Sequence, residues 1–115
     1  MDFVDTTELQ GERLDYWVAY AERENGHASA DTISTPPPPF SSDSALADPI
    51  IEREGIYTVF AVDAEFGNKY VAGFKPEGRY GFPRSEHGVC MGDGPLEAAL
   101  RFYVHHTLSR ATSQG

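Results

Sequence analysis

Residues 57–74 follow a different period from the rest of the chain. In "YTVFAVDA", Tyr57–Ala64, and "KYVAGF", Lys69–Phe74, side chains alternate and β-branched and aromatic residues dominate, as half-buried strands require. The intervening "EFGNK" carries turn residues. Either side of this block the apolar spacing returns to that of a helix. A chain that switches from helical to alternating period and back has few options. It folds as an α+β domain, a small antiparallel sheet packed by an N-terminal and a C-terminal helix. A three-residue loop, Phe66-Gly67-Asn68, would pair Ala64 with Tyr70, Val62 with Ala72 and Phe60 with Phe74. A two-residue Gly-Asn turn would set Phe60 opposite Lys75 and lose those apolar pairs, so the first register is expected.

The first helix is predicted over Glu12–Arg23 in "GERLDYWVAYAERE". Leu14, Trp17, Val18 and Ala21 share one face, and Asn25-Gly26 supplies residues that tolerate the left-handed C-cap conformation. The last is predicted over Pro95–Ser109, with Pro95 at its first position and Leu96, Ala99, Leu100, Tyr103, Val104 and Thr107 inward; "ATSQG" is expected to fray. "GVCM", Gly88–Met91, is a candidate third strand. "DPIIEREGI" is neither a regular strand nor a full helix by pattern. Asp48 suits an N-cap, Pro49 the first helical position, and Gly55 a stop. The block reads as one helical turn at the sheet edge that clamps Ile50 and Ile51 onto the core, the competing reading being a short edge strand.

Residues 1–115 are expected to form a single domain, with a mobile Pro/Ser-rich loop over about 27–44 that contains the run Pro36–Pro39. No stretch approaches the roughly 18 apolar residues of a membrane span. The acidic N-terminus lacks a signal-peptide pattern, so a cytoplasmic protein is expected. The net charge of −9 is uneven: residues 1–54 carry twelve Asp and Glu against three Arg, whereas residues 55–115 are balanced, six against six. Such an acidic half repels phosphate backbones, so nucleic acid is not an expected partner.

Three islands, "LQGERLDYWVAYAE", "DPIIEREGI" and "GPLEAALRFYV", resemble in order and spacing the NinX-like domain, a family of small phage, prophage and bacterial proteins of unassigned function. The matching residues are Leu9, Gly11, Leu14, Asp15, Pro49, Ile50, Ile51, Glu52, Pro95, Leu96, Ala98, Ala99, Tyr103 and Val104. The resemblance implies a phage-related accessory protein and carries over no catalytic residue. The hairpin and Gly78–Gly92 have no counterpart in it.

Candidate chemistry is sparse. Cys90 is alone and reads as a small buried hydrophobe. His87, Cys90, Asp93, His105 and His106 hold metal-ligating groups, but adjacent helical histidines diverge by roughly 100°, and a zinc site needs about four convergent ligands. No nucleotide-binding glycine motif is present. No catalytic, cofactor or metal residue is therefore assigned. The expected function is non-enzymatic protein binding, the alternative a small enzyme with a site in the 78–92 region. The expected interaction surface combines acids outside the first helix's apolar stripe, Glu12, Asp15 and Glu22, with aromatics off the stripes of both helices, Tyr16, Tyr20 and Phe102.

Overall fold

The alternating segments pair as a hairpin, β1 (Ile56–Asp63) with β2 (Gly67–Phe74), and a short β3 (Cys90–Gly92) adds to the other side of β2. All pairings are antiparallel, in the order β1-β2-β3. Among the described residues there are three helices, α1 (Gly11–Glu24), α2 (Ser44–Glu54) and α3 (Pro95–Gln114). The computed structural model describes residues 9–26, 36–63, 67–75, 83–85 and 88–114. The architecture is the α+β arrangement expected, with one helix more.

The register differs from both expected ones. Ile56 lies opposite Phe74, Thr58 opposite Ala72, and Phe60 opposite Tyr70. The preferred expectation had the right residues on the right face but slid them by four positions along the strand. The helices decide the matter. Ile56, Ala72 and Cys90 point into the helix layer and are buried, and the Phe74 ring stands edge-on to Phe102 of α3, centroids 4.9 Å apart. Pairing Phe60 with Phe74 would have moved Ile56 beyond the end of β2. In the observed register β1 instead outruns the helix layer at its far end, leaving Phe60 53% and Val62 79% exposed.

α3 is the central element. Ala98 and Phe102 face the sheet, and Gly92 on β3 lies so close that a Cβ there would sit 2.7 Å from the Ala98 backbone nitrogen. Ala99, Leu100, Tyr103 and Val104 join Leu14, Val18 and Ala21 of α1 and Ala47 and Ile50 of α2 in one core cluster. The helix is thus buried on two sides, not on one stripe. It also runs to Gln114, past the predicted end at Ser109, because no helix breaker intervenes before Gly115.

The "DPIIEREGI" block is the second half of an eleven-residue helix, not a single turn. Its N-cap is Asp43, whose carboxylate accepts from the Ala45 backbone N–H at 3.0 Å, so Asp48 has no capping role. Pro49 sits inside the helix. It removes one donor, and the carbonyl left over belongs to Ala45, which is exposed to solvent. Gly55 ends the helix in the left-handed conformation, φ 68°. Ile50 is fully inside, whereas Ile51 is only half-buried against the core.

Of the expected 27–44 loop, residues 27–35 lie outside the described residues. The described part, 36–43, lies against α1. Pro37 is buried, Phe40 packs on the core, and the Ser41 N–H donates to Asp15 Oδ1 at 2.7 Å.

Candidate interaction surface

Packing divides α1 into two sides. Leu14, Val18 and Ala21 face α3, so Glu12, Tyr16 and Tyr20, spaced by four residues, line the outer side one turn apart. Glu12 is exposed, Tyr16 is 44% exposed, and Tyr20 is partly so. The aromatic rings touch in sequence. Tyr16 meets Trp17 edge-on with centroids 5.5 Å apart, and Trp17 meets Tyr20 at 5.1 Å. The Arg23 guanidinium lies over the Tyr20 ring, 5.1 Å from its centroid. Trp17 also packs against the core and so anchors this row of rings to the fold. The result is a fixed aromatic row beside an acidic first turn, able to accept apolar groups and cations through the ring faces.

Three of the six residues expected on this surface are elsewhere. Asp15 is 6% exposed and holds the Ser41 backbone, so its charge is spent inside the fold. Phe102 is 1% exposed because the sheet covers the side of α3 that a single-stripe reading leaves open. Glu22 belongs to a polar network that ties the three helices together. Its Oε1 accepts from the Tyr103 hydroxyl at 2.7 Å and from Arg53 Nη2 at 2.5 Å. Asn25 Nδ2 donates to the same hydroxyl and to Thr107 Oγ1, both at 3.1 Å, and Arg53 Nη2 lies 3.2 Å from the hydroxyl oxygen. Arg53 also bonds Glu54 at 2.8 Å.

The electrostatics of this network follow from its packing. Burial is the largest influence on the Tyr103 phenol and raises its pKa above the ordinary 10.0. The donated bond from Asn25 opposes that shift, and the Glu22 carboxylate reinforces it. Burial works against the Arg53 charge, but its bonds to Glu22 and Glu54 outweigh it, and the guanidinium is held more firmly protonated than usual. Every polar group in the cluster has a partner, the arrangement of a structural clamp. No spacing in the sequence announces it, since the members lie up to 82 positions apart.

A second polar cluster fixes the start of α3. Arg101 donates to the Leu9 carbonyl at 2.6 Å and the Met91 carbonyl at 2.9 Å, and pairs with Glu97 at 3.1 Å. Glu97 in turn accepts the Asp93 N–H. Lys69 pairs with Asp93 and holds that carboxyl below its ordinary pKa.

Among the described residues no three His, Cys, Asp or Glu side chains converge as a metal site would need. His87 lies outside them, as do residues 78–82 and 86 of the 78–92 region considered for an enzymatic site. Cys90 is buried. His106 is enclosed by aromatic rings, edge-on to Phe74 at 4.9 Å and stacked with Phe102 at 5.9 Å. Among the described residues no helix is long and apolar enough to cross a membrane.

No family model matches this chain, and no curated protein matches it.

Proposed function

We propose that the chain is a non-enzymatic accessory protein of the phage-related, NinX-like kind, working in the cytoplasm by binding another protein through the outer side of α1. The observation that carries this reading is the partly exposed row Tyr16, Trp17 and Tyr20 beside Glu12. Large aromatic groups held rigid at a surface lose little conformational freedom on binding, and they are the side chains in which binding energy concentrates. Glu12 beside them favours a basic partner, because lysine and arginine interact with both a carboxylate and ring faces.

Capture from a host lysate with the native chain and with Tyr16→Ala tests this reading. Tyr16 is outside the core, so the variant should melt within about 0.5 kcal/mol of the parent. The specific partner should be lost from the variant, and its association should slow as salt rises past about 0.15 M, where screening shortens to about 8 Å. A partner retained equally by Tyr16→Ala and at high salt would remove α1 as the binding face.

A further inference from the structure

We propose that Pro36–Pro39 is a docking segment for a partner protein, recognised by a groove lined with aromatic side chains and rimmed by basic ones. Pro36, Pro37 and Pro38 each precede a proline, which holds them to extended backbone, and each ring fixes its own φ, so the run takes the polyproline II form. That helix has three residues per turn, so residues three apart share a face. Pro37 is buried and Phe40, three positions on, packs against the core, so one of the three faces is turned into the fold. Pro36, Pro38 and Pro39 are exposed and present the other two. The far end of the run is pinned as well. The Phe40 N–H donates to the Pro38 carbonyl at 2.8 Å, and the Ser41 N–H donates to Asp15 Oδ1 of α1 at 2.7 Å.

The chemistry of the run selects the partner. Proline has no backbone N–H, so the segment cannot add to a sheet as a strand, and its rings offer apolar surface without charge. Aromatic-lined grooves recognise such a surface, and they take prolines spaced as Pro36 and Pro39 are. Binding orders little, because the rings and the anchors at Pro37 and Phe40 already fix the segment. Charge selects the rim of the groove. No Lys or Arg lies between Arg23 and Arg53, and exposed Asp43 follows four residues after Pro39, so basic residues beside the groove complement this part of the chain. The segment acts independently of the Tyr16, Trp17 and Tyr20 row.

Nuclear magnetic resonance titration of the isotopically labelled full chain with isolated WW and SH3 domains, some with acidic and some with basic rims, tests this. A basic-rimmed domain should bind, with amide shifts centred on Phe40, Ser41 and Ser42. Pro36→Ala and Pro39→Ala should each weaken that binding by about tenfold. Both variants should keep the native circular-dichroism spectrum, since neither residue is in the core. Tyr16→Ala should bind as the native chain does, which separates this segment from the α1 face. A chain that binds no such domain at about 1 mM overturns the proposal. So does binding that is confined to acidic-rimmed domains, or that survives Pro36→Ala and Pro39→Ala made together.

Discussion

Tyr103→Phe isolates the polar network that joins the helices. The ring is fully buried and phenylalanine keeps its packing, so the change removes one oxygen and its three contacts. Two of these are replaceable. Asn25 keeps Thr107, and Arg53 keeps Glu22 and Glu54. The bond donated to the Glu22 carboxylate at 2.7 Å is the main loss, and bonds to charged groups contribute about 1.5–3 kcal/mol. The partners remain paired, so the expected cost is about 2 kcal/mol. In a chain of this size that lowers the melting temperature by about 8 °C. Urea titration followed by circular dichroism should show a lower midpoint with an unchanged slope. The phenol's raised pKa adds a pH signature. Above pH 10 the unfolded phenol ionises while the folded one keeps its proton, so the unfolded state binds fewer protons and stability falls as pH rises. The difference between the native chain and Tyr103→Phe should be constant below pH 10 and shrink above it. A cost under about 0.5 kcal/mol, the scale of surface changes, or a difference that does not vary through pH 10, would show that the hydroxyl does not couple the helices.

Two further substitutions test the packing. Ile50→Ala should cost about 2–5 kcal/mol and Ile51→Ala about half as much, measured by the same titration, because only the first is fully enclosed. Gly92→Ala should cost about 1–3 kcal/mol, since its Cβ would press on the α3 backbone at Ala98, and a backbone there cannot yield as a flexible side chain would.

Both outer helices, the hairpin and a third strand near Cys90 follow from local pattern. Period, β-branched content, the Asn25-Gly26 and Gly55 stops and Pro95 each act through their immediate neighbours, so they are readable without knowing what lies across the fold. Six positions on the proposed surface were equally local in their reasoning, and there the outcome divides. Glu12, Tyr16 and Tyr20 lie outside as their helix positions require. Glu22, Asp15 and Phe102 do not, because each is enclosed by a partner distant in sequence: Arg53 and Tyr103, Ser41, and the sheet. An amphipathic pattern shows which stripe is apolar but not how many neighbours a helix has, and α3 has neighbours on two sides.

The chain alone therefore determines its class, the helix stops at Asn25-Gly26 and Gly55, the start of α3 at Pro95, its lopsided charge and the alternation that makes a hairpin. These depend on dihedral preference and side-chain polarity over a few residues. Tertiary structure decides the register of that hairpin, the full length of α2, the burial of Phe102 and the clamp among Glu22, Asn25, Arg53, Tyr103 and Thr107. Sliding a strand by four residues preserves which side chains face inward, so the local pattern cannot choose between such registers. Only the helix layer, by covering Ile56, Ala72 and Phe74 and leaving Phe60 and Val62 bare, distinguishes them.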